Sequence, residues 1–178
     1  KKDVFLTEES TELFPKTPYA KCKLKEENYI KKKINKFLIL RLATVVGYSE
    51  GMKFHTVVNK FCLYSKLNKK LPVWSTAYNQ VRPYLSIEEL VENILFFIKN
   101  NSVQIDGRTI NLLTENLSTK EIIDKIKKFI PAKIKIINSK SMNKTSFELK
   151  KNFYGTNTNK KFTIEKSIKN LIKMLNFI

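Results

Sequence analysis

Thr17-Pro18-Tyr19-Ala20-Lys21-Cys22-Lys23 opens a stretch that closes with Phe37-Leu38-Ile39-Leu40-Arg41-Leu42-Ala43-Thr44-Val45-Val46, and the reading of this stretch decides the fold. Pro18 suits the first turn of a helix, where its missing N–H would be unpaired in any case. A helix is expected from about Pro18 to Lys36. Lys31, Lys32, Lys33 and Lys36 then fall at its C-terminal end, where cations complement the helix dipole. The run from Phe37 to Val46 is almost continuously apolar, too short to span a bilayer, and ended by Gly47. It predicts one strand buried on both faces, as in a parallel sheet covered by helices.

Further along, periodicity alternates between helix and strand. A packed helix is expected from Phe54 to about Leu67, carrying Val57, Val58, Phe61, Cys62 and Leu63. Short extended pieces follow from Leu71 to Trp74 and from Val81 to Ile87, the second containing Arg82-Pro83. The segment from Glu88 to Lys99 reads as a well-buried helix, with Phe96, Phe97 and Trp74 assigned to the core. A strand is expected from Thr109 to Leu113. Ser118, with Glu121 three residues on, forms a capping box for a helix that ends before Pro131. A strand from Lys133 to Ile137, a polar loop-rich stretch over 138–161 and a helix from Ile164 to Met174 complete the pattern. Strands alternating with helices make this an α/β chain.

Composition bounds the function. The 178 residues are enough for one domain, or for one domain and part of another. Hydrophobic residues at 42% argue against a disordered tail despite a net charge of +18. There is no 18-residue apolar run, and Lys1-Lys2-Asp3 is followed by no apolar stretch, so neither a spanning helix nor a signal peptide is expected. Only Arg41, Arg82 and Arg108 are arginines; the other basic residues are Lys, in a chain also rich in Asn and Ile. These three residue types share A/T-rich codons, which explains the charge without a nucleic-acid partner, and base and phosphate recognition favours Arg. Cys22 and Cys62 stand far apart, and His55 is the single histidine, read as a helix-face residue. A zinc site and a His-based nucleophile device are therefore not expected, and the thiols read as free in a reducing compartment.

The chemistry lies at Tyr19 and Lys23. Four residues apart on a helix, they share one face. A phenol is a poor base at neutral pH, and a nearby ammonium favours its phenolate. Such a pair can exchange a proton with a substrate oxygen. Alone the spacing is a weak signal. Its order gives it weight: Tyr19-x-x-x-Lys23, the apolar strand, Gly47, Asn59, and then Val81-Arg82-Pro83-Tyr84-Leu85-Ser86-Ile87-Glu88-Glu89-Leu90.

This order resembles the extended short-chain dehydrogenase/reductase family, in particular its NAD-dependent nucleotide-sugar epimerases and dehydratases. The likeness covers nearly the whole chain, and its specific parts are the Tyr motif and the Arg-Pro-Tyr segment. The resemblance implies the C-terminal part of an NAD(P)-binding Rossmann fold plus a smaller α/β substrate-binding domain. Residues 1–47 would close the dinucleotide-binding domain, and residues 48–178 would form mostly the substrate-binding domain, with segments returning to the first. It implies Tyr19 as the acid/base and Lys23 as the residue that bonds the nicotinamide ribose and favours the phenolate. Thr44, Asn59 and Arg82 would contact substrate, Arg82 holding its diphosphate in a bidentate fork.

The implied cofactor is NAD or NADP, and the implied partners are a nucleotide sugar and either a second copy of the chain or a complementing N-terminal fragment. A cytoplasmic location without a membrane partner goes with this reading. Departures from the family pattern are Thr44 where many members have Asn, Ser86 where many have His, and Ser75-Thr76-Ala77-Tyr78-Asn79-Gln80 in place of a Gly-rich turn. No Gly-rich phosphate loop occurs, since the four glycines are Gly47, Gly51, Gly107 and Gly155. A second reading is therefore a non-catalytic remnant, or one half of a split enzyme. A third is a basic nucleic-acid-binding module, which would bind with a steep salt dependence.

Overall fold

The computed structural model describes residues 5–7, 15, 17–100, 106–138, 147–150 and 162–177. The elements run β1 (Phe5–Leu6), α1 (Pro18–Lys33), β2 (Leu38–Leu42), β3 (Thr44–Val46), α2 (Val57–Lys66), β4 (Leu71–Trp74) and β5 (Val81–Ser86). They continue α3 (Ile87–Lys99), β6 (Arg108–Leu112), β7 (Glu115–Ser118), α4 (Thr119–Lys127), β8 (Ile134–Ile137), β9 (Glu148–Leu149) and α5 (Ile164–Met174). Helices α1, α2, α4 and α5 and strands β4, β5, β6 and β8 fall where the periodicity places them, with ends shifted by a few residues, whereas strand β7 was not expected. The α/β class is as expected.

The apolar run is the main correction. It is two strands with different partners. β2 pairs in parallel with β6, from Leu38 opposite Arg108 to Leu42 opposite Leu112. The Ala43 amide still donates to the Leu112 carbonyl at 3.0 Å. The chain then changes sheet, and β3 pairs in parallel with β5, Thr44 opposite Tyr84. On the far side β5 pairs antiparallel with β7, Val81 opposite Ser118. Nor is β2 buried on both faces: Ile39 is buried, whereas Leu42 is 48% exposed. Pattern alone shows an apolar run but not where its hydrogen-bonding partner changes.

Two apolar cores result. The larger packs α2, α4 and α5 against β3, β4, β5 and β7 around Val58, Phe61, Leu71, Ile122, Ile168 and Leu171. Helix α5 sits in it by one face, burying Ile164, Ser167, Ile168, Leu171 and Ile172. Ser118 and Glu121 make the expected capping box at the start of α4, each side chain bonded to the other's backbone. The smaller core joins Ala43, Leu85, Phe97, Ile110, Leu112 and Leu113.

Around the smaller core burial is thin. Helix α3 buries only Asn93 and Phe97, and leaves Val91, Ile94, Leu95 and Ile98 exposed, against the expectation of a well-buried helix. Helix α1 buries no residue at all. Phe96 packs edge-on against Phe97, ring centroids 5.7 Å apart, at the margin of the core. Trp74, expected in the core, is largely exposed. His55 lies in the turn before α2 rather than on a helix face. Of the expected loop-rich stretch 138–161, β9 is a strand paired with β1, and residues 139–146 and 151–161 lie outside the described residues. No helix among the described residues is long and apolar enough to cross a membrane.

Candidate active site

Helix α1 presents Tyr19 and Lys23. Thr17 caps it by accepting from the Ala20 amide at 3.1 Å, and Pro18 fills the first turn. Lys31, Lys32 and Lys33 close it at the C-terminal end, as the dipole favours. Its half-buried positions are Ala20, Leu24, Glu27 and Ile30, one stripe at helical spacing. That stripe is fastened by Arg41 of β2, whose Nε and Nη2 donate to the two Glu27 carboxylate oxygens at 2.9 and 2.7 Å. Both side chains are mostly buried, so this bidentate pair holds α1 on β2 where apolar packing is scarce.

Tyr19 and Lys23 stand to one side of that stripe, Tyr19 being 72% exposed. Lys23 Nζ lies 5.9 Å from the centre of the Tyr19 ring, and the same ammonium bonds Glu26 Oε2 at 2.7 Å. The hydrogen bond and charge of Glu26 hold the Lys23 pKa above its ordinary value. This ion pair is solvent-exposed and therefore weak, so Lys23 can exchange Glu26 for another partner at little cost. A cleft of ≈ 330 Å³ opens beside the pair, lined by Pro15, Tyr19, Ala20, Lys23, Leu24, Glu27 and Arg41.

The three other expected site residues lie elsewhere. None of them lines this cleft. Thr44 begins β3, opposite Tyr84. Arg82, on β5, is half-buried and sets its guanidinium over the Phe147 ring, 4.9 Å from the centre. Burial lowers the Arg82 pKa, with Tyr84 opposing, and burial pushes the Tyr84 hydroxyl up to about 12. Glu88 and Glu89 lie in the first turn of α3, and both accept hydrogen bonds. Glu88 accepts from Ser167 Oγ at 2.6 Å and Asn170 Nδ2 at 3.2 Å, and Glu89 accepts from Thr114 Oγ1 at 2.5 Å. Burial alone would raise the Glu88 carboxyl, but bonds from Ser167, its own backbone and Asn170 hold it below its usual value.

Asn59 is buried on α2. Its amide donates to the Lys53 carbonyl at 3.4 Å, and its Oδ1 has no partner among the described residues. Ser86 is the N-cap of α3, accepting from the Glu89 amide at 2.9 Å. A side chain committed to that bond does helix-capping work at the position where many family members carry His.

The sequence reading missed Arg41 and Glu27, whose contact joins a helix to the next strand, and Phe147, which meets Arg82 across 65 positions. No periodicity signals either contact. The Lys23–Glu26 pair was missed as well, although its i, i+3 spacing on a helix is a signal that could have found it.

Comparison with known proteins identifies the family and the fold. Residues 2–112 match the NAD dependent epimerase/dehydratase family. Among curated proteins no relative matches. Several solved structures share the fold. A dTDP-glucose 4,6-dehydratase from Bacillus anthracis, in complex with NAD, superposes with a TM-score of 0.73 at 16% identity, over 97% of this chain and 56% of that one. A UDP-glucuronic acid 4-epimerase from Bacillus cereus, also with NAD, gives 0.75 at 18% identity, over 98% and 58%. The NADPH complex of RMD from Pseudomonas aeruginosa gives 0.66 at 16% identity, over 93% and 58%. The chain thus spans less than three-fifths of the length of these structures. The family match extends from before the Tyr19 helix through the returning strand β6, and this chain belongs to the NAD dependent epimerase/dehydratase family.

Proposed function

We propose that this chain carries the acid/base helix and the sugar-nucleotide lobe of an NAD(P)-dependent nucleotide-sugar epimerase, dehydratase or reductase. The observation that carries the proposal is the pairing of Tyr19 and Lys23 on one exposed side of α1, above a cleft. Tyr19 is the group that takes a hydroxyl proton from the sugar or returns it. Lys23 steadies the phenolate and bonds the cofactor ribose after leaving Glu26. The nicotinamide, when bound, supplies hydride chemistry that no side chain can. Arg41 is not a ligand in this reading, because Glu27 engages the Nε–Nη2 edge of its guanidinium.

The residues present fit this division of labour. Tyr19 and Lys23 are accessible and adjacent, as groups that must meet both a cofactor and a sugar have to be. Arg82 is partly desolvated, which strengthens its attraction for a diphosphate, and its half-exposed fork remains able to donate. Asn59 Oδ1 is an unpaired acceptor but a buried one, so it would reach a substrate N–H or O–H only if the residues covering it moved aside. Thr44 lies on the ladder two register positions from Arg82 and is assigned to the same substrate. In domain terms, the β2–β6 pair with α1 belongs to the cofactor-binding layer, and the α2–α4–α5 core to the substrate lobe. NAD and NADP remain equal candidates, as do an assembly of two copies and one with a complementing fragment.

The test is Tyr19→Phe in the intact enzyme. Turnover should fall by roughly 10²–10⁴-fold, the usual worth of a positioned acid/base, while cofactor binding measured by titration stays unchanged. Undiminished turnover would remove Tyr19 from this role.

A further inference from the structure

We propose that Phe147 and Asn116 are positioning residues for Arg82, forming a strap that fixes its guanidinium plane for the diphosphate of a nucleotide ligand. The inference rests on the assignment of Arg82 to that diphosphate. Four observations carry it. Arg82 leaves a strand whose ladder is incomplete beside it: β3 pairs with β5 only from Tyr84 to Ser86, and Pro83 has no N–H to offer further. Residues Phe147–Lys150 occupy the gap, with the Phe147 amide donating to the Val81 carbonyl at 3.3 Å. The Phe147 ring then lies under the Arg82 guanidinium, 4.9 Å from its carbon. Finally, Asn116 of β7 clamps the strap at Leu149 through both ends of its amide. Its Nδ2 donates to the Leu149 carbonyl at 2.9 Å, and its Oδ1 accepts from the Leu149 amide at 3.1 Å. Pairing of β9 with β1 also holds Glu148 and Leu149.

The physics assigns each part a role. A guanidinium stacked on an aromatic face keeps its edge N–H groups free, so the ring orients Arg82 without consuming the donors a phosphate needs. A long side chain loses less rotamer freedom on binding when it is already held flat. In the β5–β7 register Asn116 stands opposite Pro83 and Leu117 opposite Arg82. Asn116 therefore leaves the sheet on the other face from Arg82 and reaches it only through the strap. Its double hydrogen bond is the kind a side-chain amide makes when it stands in for a neighbouring strand's backbone.

The experiment is calorimetric titration of the intact protein with UDP, dTDP and GDP, and with the matching nucleosides, for wild type, Arg82→Ala, Phe147→Leu, Phe147→Tyr and Asn116→Ala. Phe147→Leu keeps apolar bulk and removes the ring face, so it separates stacking from folding; Phe147→Tyr keeps the face. The expected result is that Phe147→Leu and Asn116→Ala weaken the preferred nucleoside diphosphate about tenfold and leave the nucleoside unchanged, with Phe147→Tyr close to wild type. Equal losses for diphosphate and nucleoside would mean a general structural defect and would overturn the proposal. Loss with Arg82→Ala but not with Phe147→Leu would also overturn it, leaving Arg82's own role intact. Wild-type affinity in Arg82→Ala, or no binding of any diphosphate by wild type, would remove the functional reading on which it stands.

Discussion

Helices α1 and α5 are both capped by a threonine, yet they are held by different forces. Helix α5 places Ile164, Ile168, Leu171 and Ile172 in the larger core and buries Ser167 beside them. Helix α1, longer at 16 residues, buries none. It is held by its Thr17 cap, a complemented dipole and the Arg41–Glu27 fork. A helix of that length is marginal in isolation, so α1 depends on these few polar contacts. The contrast separates two tasks. The α2–α4–α5 region is a densely packed scaffold, while the α1 layer leaves most of its surface exposed.

Three substitutions test that contrast. The largest effect is expected in the larger core. Ile122 is fully buried on α4, and Ile122→Ala should cost about 3 kcal/mol, read as a lowered denaturation midpoint in urea. A cost below about 1 kcal/mol would show that this region is not close-packed. An intermediate effect is expected at the seam between the regions. Gly47 follows β3 at φ +137°, and an added Cβ would stand 2.4 Å from Ile87 Cγ2 at the head of α3. Gly47→Ala should therefore cost about 2 kcal/mol. A second change, Ile87→Ala, should recover the steric part but not the backbone part, which thermal melts of the single and double variants can separate. The smallest effect is expected on α3. Ile98 is 69% exposed, and Ile98→Lys should change stability by no more than about 0.5 kcal/mol. A large loss in the same melts would mean that this face is covered in the protein as it folds.

The two cysteines mark the same division. Cys22 is exposed on α1, whereas Cys62 is sealed in the larger core, where burial pushes its thiol up to about 12. Neither position follows from spacing in the sequence, because free cysteines occur in both environments.

Legibility followed the range of the interaction. The capping box at Ser118 and Glu121 was legible because it is closed within four residues. The shared face of Tyr19 and Lys23 was legible for the same reason, since helical periodicity fixes it once Pro18 starts the helix. Arg82 stands out only through the family resemblance, and the ring beneath it has no signal in the sequence, because Phe147 reaches it only when the chain returns to β5. The Phe37–Val46 run shows where local reading stops. Its apolarity was evident, but the change of partner from β6 to β5 depends on strands some 40 to 70 residues downstream.

The sequence by itself determined the alternation of strands and helices, the helix that places Tyr19 and Lys23 on one face and the order of motifs that links this chain to its family, because these rest on periodicity and on contacts within a turn or two. Tertiary structure decided which apolar residues are core and which are surface. It split one apparent strand between two sheets, left α3 and α1 thinly covered, and set Phe147 under Arg82. Burial and strand partnership are properties of what packs against a segment, and no segment encodes them alone.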